Sequence, residues 1–194
     1  MRVVVKIEDR ADNNYFITST KPKRKLSHKN SYTVFQTTRG WMGILVSPEG
    51  ILAVTLPQTN RQQAFILLGE QTKQAAFSPE AFNDIRQRFQ DYYSGKKTLF
   101  PDNLDFSNAT AFQKQVWQAA RLIPHGETRS YGWVAGQIGK PRAARAVGQA
   151  LGKNPFLIIV PCHRIIAGDG TLGGFGCGLP AKQHLLELEK AVSN

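Results

Sequence analysis

Apolar positions come in short β-leaning runs through the first third of the chain and at helical spacing after it. "MRVVVKIED" and "NNYFITST" are brief runs of this β type. "SYTVFQTTRGWMGILVSPEGILAVTLP" predicts strand, turn, strand, with Pro48-Glu49-Gly50 turning between Ile44–Val46 and Ile51–Val54. Ser78 ahead of Pro79 and Glu80 predicts a capped helix start, and Phe82, Ile85, Phe89 and Tyr92 then recur on one face as far as Gly95. "GKKTLFPDNLDFSNAT" is polar and interrupted by proline, so it is taken as a connector between two units. Beyond it Phe112, Val116, Ala119 and Ile123 share a helical face, with Thr110 as the cap and Pro124-His125-Gly126 as the stop.

A helix pair follows in "RSYGWVAGQIGKPRAARAVGQALGKNP". The first helix starts near Ser130 and turns Val134 and Ile138 inward; Gly139 breaks it, and Pro141 suits the first turn of the second. In the second, Ala143, Val147 and Ala150 share one face with Leu151 beside it, which leaves Arg142, Arg145, Ala146 and Gln149 facing outward. In a last helix Lys182 and Glu189, seven apart, fall on one side, and Ala181, Leu185, Leu188 and Val192 line another. The expected organisation is an N-terminal α/β unit over 1–98, its first 31 residues an extension, and a mostly helical unit over 106–194.

Charge changes the picture more than composition does. At 41% apolar the 194-residue chain has ordinary core-forming content, but 25 Lys+Arg against 14 Asp+Glu leave a net charge of +11. The first 105 residues carry 15 basic and 10 acidic groups and the remainder 10 and 4, so the second unit is basic mainly because acids are scarce. Such an excess favours polyanionic partners, nucleic acid first and an acidic membrane surface second. No stretch is long and apolar enough to span a membrane, and no signal-peptide h-region opens the chain, so an intracellular protein is expected. The basic run Lys21–Lys25 is a solvated loop or a nuclear-targeting signal.

The outward face of the second helix of the pair is basic, yet it offers small side chains where a major-groove reader carries large polar ones. Small residues let a helix backbone approach a minor groove of roughly 6 Å, although two solvated arginines on a surface helix would leave the same pattern.

"IIVPCHRII", residues 158–166, sets a thiol, an imidazole and a guanidinium side by side in a run of branched apolar residues. Neighbours on a strand face opposite ways, so Cys162 and His163 can cooperate only on a turn, which Pro161 favours. An imidazole or a nearby cation lets a thiol act as a nucleophile, and His163 and Arg164 supply one of each. An inert buried cysteine and a cysteine hydrolase remain open on spacing alone. Cys162 and Cys177 lie fifteen apart without a CxxC, which argues against a metal and against a disulfide framework.

These residues, taken together, match a known pattern. "RSYGWVAGQIGKPRAARAVGQALGKNPFLIIVPCHRIIAGDGTLGGFGCGLPAKQHLLELE" resembles the active-site domain of the O6-alkylguanine-DNA alkyltransferases, also called methylated-DNA–protein-cysteine methyltransferases. The resemblance rests on Ser-Tyr, Ala-Arg-Ala-Val-Gly, Asn-Pro, Pro-Cys-His-Arg, a glycine-rich segment and a Lys…Glu helix in that order. It is strong from Phe112 to Glu189 and weaker from Tyr32 to Leu104. It implies a small ribonuclease-H-like α/β domain followed by a winged helix-turn-helix domain.

The resemblance also implies direct reversal of DNA damage, with the alkyl group of O6-alkylguanine moving irreversibly to Cys162 once per molecule after the base is flipped out. His163 would take the thiol proton through a water, and Glu189 would orient it. Tyr131 and Lys182 would meet charge developing on the leaving guanine, and the Asn154 amide would tie the turns around the cysteine. Arg145 would enter the base stack, with Ala144, Ala146 and Gly148 permitting groove approach and Arg142, Gln149 and Tyr131 also at the DNA. Leu151, Val160, Phe175, Gly176 and Cys177 would wall the base pocket.

Cys177 stands where the family commonly has glycine, and Phe175 where it commonly has tyrosine. No cofactor and no metal are implied. The partner would be double-stranded DNA containing O6-alkylguanine, bound by a monomer, with cooperativity left open and no membrane involved. The compartment would be the cytoplasm in a prokaryote and the nucleus in a eukaryote. A non-catalytic sensor of alkylated DNA, or a helix-turn-helix regulator on the same scaffold, is the alternative.

Overall fold

The computed structural model describes residues 29–190. The strands expected in "MRVVVKIED" and "NNYFITST", the basic run Lys21–Lys25 and the inward face at Val192 lie outside the described residues.

Three strands, β1 (Ser31–Thr37), β2 (Gly40–Ser47) and β3 (Gly50–Val54), form an antiparallel meander; β4 (Ala76–Phe77) adds parallel to β1, giving the order β3-β2-β1-β4. The turn at Pro48-Glu49 is where the sequence places it. Alternation divides the side chains between two layers. Phe35, Met42, Ile44, Val46, Ile51 and Val54 enter the main core, while Leu45 and Leu52 form a separate cluster with Leu68 on the other face.

Helix α1 (Arg61–Ile66) lies so close to β2 that a Cβ at Gly43 would come within 2.9 Å of the Ala64 carbonyl and the Leu68 side chain. Six residues show too little periodicity to announce α1, and the two of β4 show none. Helix α2 (Asn83–Tyr93) buries Ile85, Phe89, Tyr92 and Tyr93. The chain enters it through a 3-10 turn at Pro79–Phe82, and the Ser78 side chain makes no capping hydrogen bond. There Pro79 opens the 3-10 turn ahead of the helix, whereas the sequence suggested a capped helical start.

The connector is not loose. Ile51 N donates to Asn103 O at 2.9 Å and Asp105 N to Ile51 O at 2.8 Å, so the segment extends the β3 edge. Asp102 pairs with Arg88 of α2, and Arg121 donates to the carbonyls of Phe100 and Asp102. A free strand edge and two arginines thus give the proline-broken stretch partners that its own sequence does not reveal.

After it come α3 (Ala111–Ala120), α4 (Tyr131–Gln137), α5 (Ala144–Gly152) and α6 (Leu179–Lys190), with a small parallel pair between β5 (Arg129–Ser130) and β6 (Ile165–Ile166). Thr110 and Gln113 form a reciprocal capping box on α3, and the Ser130 hydroxyl accepts from Trp133 N at 3.0 Å to cap α4. Gly139, at φ +69°, ends the α4 segment. Pro141 and Arg142 do not begin α5. They form a turn closed by Ala143 N to Lys140 O at 2.9 Å, so the helix starts three residues after the proline.

One buried cluster takes side chains from both halves, among them Phe89, Tyr92, Val116, Phe156, Cys162 and Leu185. Val54 N also donates to Pro155 O at 2.8 Å, which ties the sheet to the segment leading to the cysteine. The architecture is a mixed sheet with helices on both sides, of the α/β class expected.

Candidate active site

Pro161 leads into a single 3-10 turn, Cys162–Arg164, whose three side chains are all buried. The turn resolves the strand objection: on it the thiol and the imidazole need not face opposite ways. Upstream, the chain is bent by Ile158, at φ +73°. That conformation is costly for a β-branched residue. Asn154 holds the bend, with Nδ2 donating to Val160 O at 3.0 Å and Oδ1 accepting from Phe156 N at 2.9 Å. The same Nδ2 reaches Cys162 Sγ at 3.1 Å. The sequence pattern suggested the first task of this amide but not the second.

Burial pushes the Cys162 thiol up to about 11, against an opposing pull from the Asn154 hydrogen bond. The sulfur therefore rests protonated at neutral pH, which makes proton removal part of any reaction.

His163 is fully buried, and desolvation lowers its pKa, so its resting form is neutral. Its Nε2 lies 2.8 Å from Glu189 Oε1. A carboxylate only accepts, so Nε2 carries the proton and Nδ1 presents its lone pair. Nδ1 is buried and meets no protein hydrogen-bond partner. It is the free basic nitrogen next to the thiol turn.

The carboxylate that fixes this tautomer is itself held by several donors. Arg164 Nε reaches Glu189 Oε2 at 2.8 Å and Nη2 reaches Oε1 at 2.9 Å; Tyr92 Oη donates to Oε1 at 2.8 Å and Gly126 N to Oε2 at 3.2 Å. Despite burial, His163 and Arg164 hold Glu189 far below the usual carboxylate range. The sequence offered Arg164 as a cation for the sulfur, but its guanidinium is spent on Glu189 and on Ile123 O, 2.7 Å away. Nothing in the spacing pointed to Tyr92, ninety-seven positions from Glu189.

Lys182 and Glu189 are buried on one side of α6, while Gln183, Glu187 and Lys190 face solvent. Lys182 Nζ donates to the carbonyls of Ile165 and Leu172 and lies 5.9 Å from the Tyr131 ring centre. Burial lowers its pKa to about 8. It braces the strand after the cysteine and the glycine-rich loop, and the Tyr131 hydroxyl donates to Gly174 O of that loop at 3.0 Å.

A cavity of about 690 Å³ opens over the sulfur, lined by Cys162, Ser130, Tyr131, Leu151, Phe175 and Gly176 among others. Ala144, Arg145 and Gly148 of α5 form its rim, so helix face and thiol share one opening. Arg145, Ala146 and Gln149 are exposed on α5, and Arg142 is exposed in the turn before it. Two expected wall residues lie off the cavity. Val160 is fully buried and contributes its carbonyl to the Asn154 and Cys162 N–H bonds, while Cys177 is exposed beyond Gly176. Ser130 and Gly152 line it without having been anticipated.

Comparison with known proteins follows the same division of the chain. The family described as "6-O-methylguanine DNA methyltransferase, DNA binding domain" matches residues 111–191. A methylated-DNA–protein-cysteine methyltransferase of Mycobacterium tuberculosis is 52% identical over 113 residues, 58% of this chain and 68% of the relative. The protein of that name from Haemophilus influenzae is 49% identical over 109 residues, 56% of this chain and 61% of its own. Among solved structures, the M. tuberculosis O6-methylguanine methyltransferase superposes with a TM-score of 0.69 at 38% identity, covering 85% of this chain and 95% of that one. M. tuberculosis OGT in complex with DNA gives 0.69 at 40% identity, covering 84% and 94%.

Proposed function

The chain belongs to the family of methylated-DNA–protein-cysteine methyltransferases, which repair DNA by alkyl transfer, and from that premise we propose how its own residues carry the reaction. DNA is its partner, and the acceptor is Cys162. The observation that carries this assignment is the buried thiol at the base of a cavity rimmed by α5, within the same turn as a histidine whose Nδ1 is unprotonated and unpartnered.

An O6-alkylguanine is flipped into the cavity, which is of the volume usual for ligand sites, about 300–1,000 Å³. Arg145, exposed on the rim, fills the gap left in the stack, while Ala144, Ala146 and Gly148 keep α5 slim enough to enter the groove and Arg142 and Gln149 flank it. Leu151, Phe175 and Gly176 wall the base.

Sulfur attacks the alkyl carbon, the new S–C bond forms as the C–O6 bond breaks, and the bonding pair goes onto the purine. The thiol proton passes through a water to His163 Nδ1 and ends on the guanine ring, so that neutral guanine leaves. Glu189, held ionised by Arg164, stabilises the imidazolium formed in between. Tyr131 exchanges its bond to Gly174 O for the base, and Lys182, which braces the same loop, adds positive charge nearby. The thioether product has no group beside it to reverse it, so each molecule acts once.

The finer architecture belongs to the same proposal. Of the described residues, those up to 98 form a ribonuclease-H-like unit and those from 106 to 190 a winged helix-turn-helix unit. The α4–α5 pair with its intervening turn and the adjacent β5–β6 pair support that reading. The protein works as a monomer wherever the DNA is, in a prokaryotic cytoplasm or a eukaryotic nucleus. No described helix is long and apolar enough to cross a membrane.

The test uses a duplex carrying O6-methylguanine with a labelled methyl group. Label should appear on Cys162 of the wild-type protein, and Cys162→Ser should bind the duplex without acquiring label. Label on the serine variant, or an intact lesion with the wild type, would overturn the assignment.

A further inference from the structure

Glu189 is the meeting point of both halves of the molecule. Its partners His163, Arg164 and Gly126 come from the C-terminal half, and Tyr92 comes from α2 in the N-terminal half. Tyr92 is 1% exposed and its ring is set edge-on to Tyr93, Phe100 and His125. The hydroxyl cannot swing away without breaking that packing, and it donates to Oε1, the same oxygen that receives the imidazole N–H.

From this we infer that Tyr92 is a positioning residue for alkyl transfer: its hydroxyl fixes the Glu189 oxygen that orients His163, so the N-terminal half takes part in the chemistry as well as in folding. The inference rests on the mechanism proposed above and deepens it.

The direction of the effect follows from charge. A carboxylate oxygen that already accepts from Tyr92 has less electron density for the imidazolium. Removing the phenol makes Glu189 the stronger partner of protonated His163 and raises the pH at which the imidazole loses its proton. The other groups facing this pair are Arg164 and Cys162 on the active turn, His125 before Gly126, Lys182 on α6, and Lys97, which acts through His125; none of them changes in the experiment.

Tyr92→Phe keeps every ring contact and removes only the hydroxyl. In single-turnover reaction with an O6-methylguanine duplex, its affinity for the duplex should match the wild type. The rate constant for transfer should fall roughly three- to tenfold, as for one lost hydrogen bond to a charged group felt in part at the transition state. The acid limb of the rate profile should move to higher pH. Site-specific 3-fluorotyrosine at position 92, a stronger donor in a nearly identical shape, should move that limb to lower pH. A merely structural role would lower stability without shifting the limb in opposite directions.

Wild-type protein in the same assay separates the two levels of the argument. If it fails to acquire the methyl group, the mechanism itself is wrong. If it does so and both variants share its rate and acid limb, Tyr92 has no part in positioning and the inference is overturned.

Discussion

Replacing Asn154 by alanine removes three hydrogen bonds at one stroke, and their consequences separate. Val160 O keeps a partner, since Cys162 N also donates to it at 2.8 Å. Phe156 N, in a residue only 1% exposed, loses the Oδ1 acceptor it meets at 2.9 Å. An orphaned buried donor costs about 1–3 kcal/mol, and the small void adds about 1 kcal/mol, so a stability loss of about 2–4 kcal/mol is expected. The third bond acts on rate. The amide at 3.1 Å is the main influence lowering the Cys162 pKa, and a hydrogen bond to a charged group is worth about 1.5–3 kcal/mol. If most of that is felt as the sulfur ionises, transfer slows by about 10- to 100-fold.

Asn154→Asp distinguishes the two effects, because it retains an acceptor for Phe156 N but turns an oxygen toward the sulfur. The assay is a quenched single-turnover time course on an O6-methylguanine duplex, run beside urea unfolding. An aspartate variant that transfers methyl at the wild-type rate would refute the idea that this amide prepares the thiol.

Further outcomes follow from the same geometry. Glu189→Gln leaves the Arg164 guanidinium buried without its counter-charge and should cost about 3–5 kcal/mol in urea unfolding while cutting transfer by about 100-fold or more. Folding depresses the Glu189 pKa, so its contribution to stability is complete above its ordinary value of 4.5 and is lost as pH falls through the lower, folded value; His163, also lowered by folding, adds loss beginning near 6.5. Unfolding free energy measured between pH 7 and 3 should therefore decline on acidification, more shallowly in Glu189→Gln. Arg145→Ala should slow repair in duplex DNA by about tenfold or more and leave reaction with a free alkylated base nearly unchanged, because only the duplex requires extrusion. Equal losses on both substrates would remove Arg145 from that role.

Much of this molecule is legible in its sequence because the signals are local. Thr110 ahead of α3, Ser130 ahead of α4 and the Pro161 turn each announce themselves within a few residues. The periodic faces of α2, α3 and α5 likewise identify Phe89, Val116 and Val147 as core. What stayed hidden depends on distant chain. The edge of β3 gives the connector its partners, which its polar, proline-broken composition conceals. Pro141 looks like a helix start, yet the turn closed on Lys140 displaces α5 to Ala144.

At the site, adjacency of Cys162, His163 and Arg164 suggested one mutual cluster. Only burial reveals that the guanidinium serves Glu189 and that the thiol rests protonated. Tyr92 could not have been found from spacing, since a phenol on an apolar helix face has the same pattern whether or not its hydroxyl has a partner.

The most direct measurement is a titration of the protein with a molar excess of O6-methylguanine duplex, followed by peptide mapping. Repair should stop at one lesion per protein molecule, with the methyl group on Cys162 as a thioether that survives dialysis. Continued repair beyond equivalence, or a methyl group on Cys177 with Cys162 unmodified, would contradict the account.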